Sequence, residues 1–501
     1  MTALGAPNIV ADYVVAPAGV AGSPINLALT NPAELAGDVT VTICGVPAGW
    51  TVSQGTDNGD GTWTVQTNDV SALTITTPVD YAGAMTLSIA MTWTNADGTS
   101  GLSVLTDNVE AFAPGNPIFA WSRDDTLTGS SGDDLFVFSQ PIGDDVVFDF
   151  TATADKIDLI GYAGFTSFAD VLAHTADDSS GNARLQLADG QSITLIGVQT
   201  SSLTAANFVF NQTPVMTNAG TMVIGNGAML PLSGVVTNSG TISLNSSGSE
   251  TQLQLIQYGV TLQGGGQVLL SDSPGNVIAG TLASVIFNNV DNVIEGAGRI
   301  GNGTLTLTNG GSITATGNYA LIIDTGANTI VNSGTLGATG AGGLYIASAL
   351  ENYGELLANS GHIGVGGIVS GGGAAIITGG AALFLHDDAD LAVTFGANES
   401  GTLVLFDSVH FTGRVSGFDE DDAFLFRDID FGTGTTFQFA AASVGEGGDL
   451  TISDGTDTAT IHLNGLFDGS AFHIQGLADG GTMLIYGSGF QHSVPIEPLW
   501  M

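Results

Sequence analysis

A glycine-rich acidic stretch in the first third of the chain has the residue types and spacing of a metal site. Asp125 and Asp134 are nine residues apart, and Asp145 follows eleven residues later. Gly129 and Gly132 lie between the first two aspartates, where a glycine turn exposes backbone carbonyls. Because Ca2+ prefers carboxylate and carbonyl oxygens, we predict that Asp125, Gly129, Gly132, Asp134 and Asp145 bind calcium. The alternative is that these residues form acidic surface turns without a metal.

The residues around this motif resemble two parts of calcium-dependent bacterial secreted proteins. The stretch from Gly129 to Phe136 is similar to the Gly-Gly-x-Gly-x-Asp-x-apolar-x nonapeptide of RTX proteins, with Ser130 in place of the second glycine. Residues 120–211 resemble the folded module that follows RTX repeats in type I secreted proteins. The same order of residues recurs nearer the C-terminus, in Gly417-Phe418-Asp419, Asp422 to Phe426, Asp454-Gly455, Ile461 to Gly465 and Phe472. Two related β-rich modules are therefore expected to bracket the middle of the chain.

The middle of the chain, residues 212–395, is a repeat array. An Asn-x-Gly-polar turn recurs with a period near twenty, beginning at Asn218, Asn238, Asn309, Asn332 and Asn352. Short β-branched runs separate these turns. The combination is typical of a right-handed parallel β-helix, in which each coil buries its inward residues only when it stacks on its neighbours. We expect the asparagines to form a side-chain amide ladder and the glycine that follows each one to permit the turn conformation.

The first hundred residues have the pattern of a β-sandwich of immunoglobulin size. Val39 to Ile43 and Met85 to Ile89 alternate apolar and polar residues and are rich in β-branched types. The segment Gly45 to Trp50 resembles the immunoglobulin- or cadherin-like repeats of large bacterial adhesins. The predicted fold is all-β, with an Ig/cadherin-like sandwich (1–112), an RTX-like β module (113–211), a parallel β-helix (212–395), a second β module related to residues 145–210 (396–487) and a tail (488–501).

The charge of the chain restricts its partners. Six lysines and arginines against 48 aspartates and glutamates give 6 − 48 = −42. Nucleic acids and anionic membranes are bound through cationic side chains, so we expect neither nucleic-acid binding nor membrane association. The uncharged tract 363–385 contains eight glycines, which favour strands and turns over a membrane helix. Cys44 is the only cysteine, so stability outside the cell would come from packing, calcium or assembly rather than from an intramolecular disulfide.

Parallel β-helices often belong to enzymes that cleave polysaccharides, so a carbohydrate-active enzyme is an alternative function. A hydrolase needs two carboxyl groups about 5 to 9 Å apart. The candidates are Glu351 with Glu355, and the cluster of His386, Asp387, Asp388 and Asp390. The noncatalytic alternative is that Glu351 and Glu355 are solvated side chains at a turn. The cluster at His386 would then cap the exposed end of the array. A lyase acting on acidic sugars needs cations, and the array has one arginine and no lysine. We therefore expect no catalytic residues.

The combination of modules resembles the type I secreted, RTX-related surface proteins of Gram-negative bacteria. The resemblance implies export through a C-terminal signal, without an N-terminal signal peptide, and folding that calcium promotes outside the cell. The apolar residues 490–501 suit such a signal, or a strand that pairs between molecules. We expect an extracellular or cell-surface structural or adhesive protein that self-assembles into a layer, matrix or filament and contacts surface glycans or a host or cell surface. The alternatives are a polysaccharide hydrolase or lyase on the β-helix, and a monomeric calcium-dependent glycan-binding module.

Overall fold

Short β-branched runs between glycine turns determine the secondary structure of this chain. The computed structural model describes residues 8–10, 14–33, 35–121, 123–442, 447–478 and 480–487, so the tail assigned to residues 488–501 lies outside the described residues. The chain is nearly all β, with 52% strand and 4% helix, and carries a parallel β-solenoid of about 14 turns. The prediction of a parallel β-helix is therefore confirmed. No helix in the described ranges is long and apolar enough to span a membrane.

The chain divides into two compact units. Unit 1 comprises residues 1–245 and 249–260, and unit 2 comprises residues 246–248 and 261–501. The division falls inside the stretch 212–395 that the sequence assigns to the β-helix. Parallel pairing also continues past residue 395, because Thr402–Leu405 pairs in parallel with Ala423–Asp430.

Unit 1 contains an antiparallel part that begins the chain. Ala82–Thr94 and Ser100–Phe112 pair along nearly their whole length, and Val39–Cys44 pairs with Ala82–Thr94 and with Thr62–Thr67. A smaller antiparallel sheet consists of Pro24–Asn26, Thr51–Val52 and Thr74–Thr76. Alternate residues of both sheets share one core with Trp50. Thr56–Asp57 pairs antiparallel with Thr62–Thr67, whereas Asn8–Val10 and Val14–Val15 pair in parallel with Ser100–Phe112.

Unit 1 continues as two rows of parallel strands. The first row consists of Pro17–Val20, Thr126–Thr128, Asp144–Phe148 and Gln191–Leu195. The second row consists of Ile118–Phe119, Leu135–Ser139, Lys156–Ile160 and Phe208–Phe210. The chain alternates between the rows, so each pass through both rows makes one coil. Phe136, Phe138, Val147 and Leu159 are fully buried by this stacking.

Other elements of unit 1 connect these rows and begin the asparagine repeats. Thr175–Asp177 and Ala183–Ala188 form antiparallel pairs beside Gln191–Leu195. The helical segments are Phe168–Ala173, Thr200–Ser202 and Ala205–Asn207. The later strands are Val215–Asn218, Thr221–Ile224, Met229–Asn238, Thr241–Leu244 and Thr251–Gln263, of which the last belongs to unit 1 up to residue 260.

Unit 2 has three faces of parallel strands. The first face consists of Ile286–Asn289, Thr306–Asn309, Ile330–Asn332, Leu350–Asn352 and Val369–Ser370. The second face consists of Gln267–Leu270, Val293–Gly296, Ser312–Ala315, Thr335–Ala338, Glu355–Asn359, Ala374–Thr378, Ala392–Phe395 and Arg414–Ser416. The third face consists of Asn276–Gly280, Gly298–Gly301, Leu321–Ile323, Leu344–Ile346, Ile363–Val365, Ala382–Leu385, Thr402–Leu405 and Ala423–Asp430.

Each coil of unit 2 sends one apolar layer inward from every face. Ile330, Leu336 and Leu344, one from each face, are fully buried in the same coil. Burying an aliphatic side chain of this size stabilises a fold by about 1.5–3 kcal/mol. The gain exists only between neighbouring coils, because a lone coil would leave both of its sides in water.

The predicted amide ladder is present on the first face of unit 2. Asn289 donates through Nδ2 to Asn309 Oδ1 at 2.8 Å, Asn309 to Asn332 at 2.9 Å, and Asn332 to Asn352 at 2.7 Å. All four side chains are fully buried. In unit 1, Asn218 donates to Asn238 in the same way at 2.8 Å. The ladder satisfies buried polar groups from one coil to the next, so this prediction is confirmed.

The glycine of the Asn-x-Gly turn has a different purpose from the one predicted. Gly240, Gly334 and Gly354 do not have positive φ, so the turn conformation does not require glycine. A Cβ at Gly240 would instead overlap the Gly220 carbonyl oxygen of the preceding coil, and one at Gly354 would overlap the Gly334 carbonyl oxygen. Close approach of successive backbones therefore selects glycine at this position.

Antiparallel strands complete unit 2. Gly481–Tyr486 pairs with Ala423–Asp430 and with Phe472–Gly476. Gly448–Ser453 pairs with Thr436–Ala441 and with Thr458–Asn464, and the last of these also pairs in parallel with Arg414–Ser416. Two short helical turns, Ser408–His410 and Gly469–Ala471, connect these strands.

Candidate functional site

The predicted calcium ligands lie at the turns that lead into the two parallel rows of unit 1. Asp125 precedes Thr126–Thr128, Asp134 precedes Leu135–Ser139, and Asp145 lies within Asp144–Phe148. Their exposed fractions are 4%, 8% and 0%, respectively. The alternative that they are acidic surface turns is therefore wrong as far as the side chains are concerned, because all three are buried.

The carboxylates accept backbone hydrogen bonds within their own turns. Asp125 Oδ2 accepts from the N–H of Trp121 at 2.7 Å, and Asp134 Oδ2 accepts from the N–H of Ser130 at 2.5 Å. A fourth aspartate, Asp155, has the same relation to Thr151, at 2.7 Å. In each case the donor precedes the aspartate by four residues. The aspartate thus closes the turn before its strand begins.

The same carboxylates connect successive coils. The N–H of Asp125 donates to Asp145 Oδ1 at 2.9 Å across 20 residues, and the N–H of Asp134 donates to Asp155 Oδ1 at 3.0 Å across 21 residues. The nine-residue spacing seen in the sequence is therefore about half of a coil. We call the four turns that end at Asp125, Asp134, Asp145 and Asp155 the aspartate turns.

Asp145 departs from this pattern for a reason that the sequence contains. Its Oδ2 is buried and has no hydrogen-bond partner among the described residues. The residue four positions earlier is Pro141, which has no N–H to donate. The proline therefore leaves one carboxylate oxygen of the aspartate turns unsatisfied.

Burial raises the pKa values of three carboxyl groups around the aspartate turns. Burial is the main reason that the pKa of Asp125 is raised well above its ordinary value, and the charges of Asp145 and Glu110 add to the effect. Burial likewise raises the pKa values of Asp145 and Glu110 well above their ordinary values. Glu110 is 1% exposed and accepts a hydrogen bond from Asn108 at 2.7 Å. The common cause of these shifts is that burial disfavours the charged form of a carboxyl group.

The two predicted glycine ligands lie on either side of Ser130. Gly129 is buried, its N–H donates to the Phe148 carbonyl at 2.9 Å, and a Cβ there would come within 2.7 Å of the Asp149 carbonyl oxygen. Gly132 is exposed, and its N–H donates to Ser130 Oγ at 3.0 Å. Neither glycine has positive φ. Gly129 therefore permits close stacking of coils, and calcium ligation by the five residues stays a prediction.

Sequence reasoning missed Asp155, which completes the second pair of aspartate turns. The available signal was the spacing of 20 or 21 residues between Asp125 and Asp145 and between Asp134 and Asp155. The four residues form two pairs at the coil period of 20 or 21 residues, which the nine-residue period of the nonapeptide does not show.

A second group of side chains comes together in unit 2. Within the described part of the chain, Asp388, Asp407 and His410 are the three metal-ligating side chains whose ligand atoms all lie within 4.8 Å of one another. His410 Nδ1 lies 2.8 Å from Asp407 Oδ1 and 3.5 Å from Asp388 Oδ1. Their side chains are 61%, 30% and 50% exposed for His410, Asp407 and Asp388. The hydrogen bond and charge of Asp407, with the charge of Asp388, raise the pKa of His410.

The structure separates the other carboxylates considered for catalysis. Glu351 lies on the first face and Glu355 on the second face of unit 2, and both are half-buried. His386 stacks on Phe406, with ring centroids 4.1 Å apart and planes at 12°. Of the predicted cluster, only Asp388 joins the group with Asp407 and His410. Because those two partners lie about twenty residues further along the chain, only the stacking of coils reveals the group.

Comparison with known proteins adds no family. No protein-family profile matches this sequence, and no curated protein matches it.

Proposed function

We propose that this chain is a secreted, noncatalytic structural or adhesive protein of a bacterial surface. The observation that carries the proposal is the use of buried polar residues to join coils. The amide ladder from Asn289 to Asn352 and the aspartate turns of unit 1 direct their hydrogen bonds to neighbouring coils rather than toward solvent. Such a scaffold is rigid within each unit and presents a regular surface.

Calcium and self-assembly are the second part of the proposal. Copies with a net charge of −42 repel one another, so association requires neutralisation. Divalent cations that bind to carboxylates neutralise this charge with the fewest bound ions, because each ion carries two positive charges. The proposed ligands are Asp125, Gly129, Gly132, Asp134 and Asp145, and the proposed partners are further copies of the chain and surface glycans.

The proposed modules follow the order of elements in each unit. The antiparallel part of unit 1 is an Ig- or cadherin-like sandwich, and residues 113–211 are an RTX-like module. The relation between the second module and the first is supported by a shared order of elements. In each module an aspartate precedes a strand, and this strand is followed by a hairpin, a short helical turn and a final strand. Their last strands differ in pairing, because Phe208–Phe210 pairs in parallel with Lys156–Ile160, whereas Gly481–Tyr486 separates Phe472–Gly476 from Ala423–Asp430.

Export belongs to the same proposal. Proteins resembling this one leave the cell by type I secretion, with an uncleaved signal at the C-terminus. We place this signal in residues 490–501, which lie outside the described residues. Fusing these residues to a reporter and measuring its export through a type I channel tests the assignment, and retention of the fusion in the cell contradicts it.

Assembly is tested on the purified full chain. Light scattering and electron microscopy are compared in 5 mM CaCl2, in EGTA, and in NaCl of matched ionic strength. The proposal expects polymers or ordered layers with calcium alone. Monomers under all three conditions contradict assembly, and equal association in NaCl contradicts a specific role of calcium.

The aspartate turns allow calcium ligation to be separated from capping. Asp134→Asn keeps one acceptor but sets an amide N–H2 near the backbone donor of Ser130, so it lowers the melting temperature in EGTA. If Asp134 also binds calcium, the rise in melting temperature on adding calcium shrinks as well. An unchanged rise removes Asp134 from the calcium site. Asp454→Asn, at an exposed hairpin turn of unit 2, is the control.

A carbohydrate-active enzyme is the second candidate, and the group at Asp388 favours it. Two carboxylates and an imidazole within 4.8 Å form a set that binds a divalent ion or shares a proton with a substrate. Product release from neutral and acidic glycans, abolished by Asp388→Asn but not by Glu351→Gln, would support this candidate over the first. Absence of release from every glycan counts against it.

A further inference from the structure

Unit 1 contains a small cleft beside the aspartate turn that runs from Trp121 to Asp125. Its volume is about 240 Å3, and its walls include Asn108, Trp121, Arg123, Met229, Glu250 and Gln252. Pockets for drug-sized ligands occupy about 300–1,000 Å3, so this cleft suits a smaller molecule such as a single sugar ring.

The cleft is held in shape by hydrogen bonds between its walls. Asn108 Oδ1 accepts from the N–H of Met229 at 2.8 Å, and Asn108 Nδ2 donates to the Met229 carbonyl at 2.9 Å. The N–H of Gln252 donates to the Ala228 carbonyl at 2.9 Å. The wall of the cleft is therefore already ordered before a ligand binds, and this reduces the entropic cost of binding.

The walls combine an apolar surface with hydrogen-bonding groups of both kinds. Trp121 and Met229 supply the apolar part. Trp121 is 6% exposed, and its Nε1–H is buried and has no acceptor among the described residues. Arg123 is exposed and offers five N–H donors, whereas Gln252 offers both a donor and an acceptor.

Charge decides between a neutral and an anionic ligand. Arg123 is one of only six cationic side chains, and the chain carries a net charge of −42. Asp124 is exposed beside it in the sequence, and Glu250 adds a carboxylate to the cleft wall. An anion would be repelled by these neighbours, whereas sugar hydroxyls accept from Arg123 and donate to carboxylate and amide oxygens.

We propose that this cleft binds one neutral hexopyranose unit, the end or a branch of a glycan. Arg123 and Gln252 bind ring hydroxyls, Trp121 donates through Nε1 to a sugar oxygen, and Met229 contacts the apolar C–H surface of the ring. The site adjoins the proposed calcium ligand Asp125, which accepts from the Trp121 N–H at 2.7 Å. The proposal rests on the glycan partner proposed above, but sugar binding and assembly are measured in separate experiments, so either can fail without the other.

The test uses the full chain and methyl β-D-glucopyranoside, observed by saturation-transfer NMR and by titration of tryptophan fluorescence. Saturable binding is expected. Arg123→Gln should weaken it about tenfold or more, because hydrogen bonds from charged donors are lost. Trp121→Phe should weaken it about two- to tenfold, because a single neutral donor is lost.

Matched controls separate the cleft from the remaining surface. Arg184→Gln removes an arginine that pairs with Asp144 at 3.2 Å and does not line the cleft, so it should leave binding unchanged. Melting temperatures of all variants confirm that each one folds. Three results would overturn the proposal: no saturable binding of the glucoside, unchanged binding by Arg123→Gln, or tighter binding of glucuronate than of the glucoside.

Discussion

Asn309 donates through Nδ2 to Oδ1 of Asn332 at 2.9 Å, although the two residues are 23 positions apart. Asn332 in turn donates to Asn352 at 2.7 Å. Each central amide of the ladder is therefore a donor toward one coil and an acceptor toward the other. Loss of either function breaks a buried hydrogen bond between coils, and this makes the ladder a sensitive place to test the packing of the coils.

Replacing Asn332 with alanine should lower the free energy of unfolding by about 2–4 kcal/mol, because it removes one acceptor of the Asn309 amide and the donor of the buried Asn352 side-chain oxygen. Urea unfolding followed by circular dichroism measures the loss. Asn359→Ala, at a half-buried strand position of the second face, is the control and should change stability by less than about 1 kcal/mol. Equal effects of both substitutions would show that the ladder adds nothing specific.

A matched pair of glycines tests the close approach of the coils. Gly240→Ala should cost about 2–3 kcal/mol, because its Cβ overlaps the Gly220 carbonyl oxygen. Gly220→Ala occupies the equivalent place one coil earlier, where nothing lies within 4 Å of the added Cβ, and should be nearly neutral. Thermal unfolding of the two variants gives the comparison. Similar losses would mean that turn conformation, not coil spacing, selects glycine.

The array was predictable because its signal is local and repeated. Asn-x-Gly turns at a period near twenty, with β-branched runs between them, specify both the coil and the ladder. The reason for the glycine was not predictable, because it depends on the distance between backbones twenty residues apart. The strands around Val39 to Ile43 and Met85 to Ile89 were likewise found from alternation alone.

Asp422 should make stability depend on pH. Burial raises its pKa to about 8, and its Oδ1 has no partner among the described residues. A folded-state pKa above the unfolded value of about 4 means that the stabilising contribution is fully present below pH 4 and is lost as pH rises through about 8. Asp422→Asn, which resembles the protonated carboxyl, should flatten the fall in melting temperature between pH 5 and pH 8.

The control for this measurement is Asp454→Asn, since the pKa of that carboxyl is lowered by backbone hydrogen bonds from Asp457 and Thr456. Its removal should not flatten the profile. If Asp422→Asn melts with the same pH dependence as the parent chain, then the carboxyl of Asp422 is not protonated in the folded state.

His410 should titrate above its ordinary value because of its two carboxylate neighbours. Asp407→Asn removes the hydrogen-bonded charge and should lower the pKa of His410 toward about 6.5, and Asp388→Asn should lower it less. NMR of the imidazole resonances, assigned with His410→Gln, measures the change. Asp449→Asn, which removes the partner of His462 at 2.7 Å, should leave His410 unchanged. A His410 pKa that does not respond to Asp407→Asn would contradict the contact.

The candidate sites were less predictable than the fold. The sequence identified Asp125, Asp134 and Asp145 but grouped them by a nine-residue period, which hid their pairing across coils and omitted Asp155. The group at Asp388 needed the stacking of two coils to bring in Asp407. In both cases the chemistry depends on neighbours that a one-dimensional spacing does not reveal until the length of the coil is known.

The register of the amide ladder also bears on how such a gene changes length. Asn332 and Asn352 occupy equivalent places, and each is followed two residues later by a glycine. Excising residues 333–352 would join Asn332 to Tyr353 and leave a complete Asn-x-Gly turn in the correct phase. Unequal recombination can therefore add or remove whole coils while every inward residue stays inward, whereas an insertion of one residue in a strand would turn its apolar side chains toward water. Heritable variation in this region is thus expected in steps of one coil.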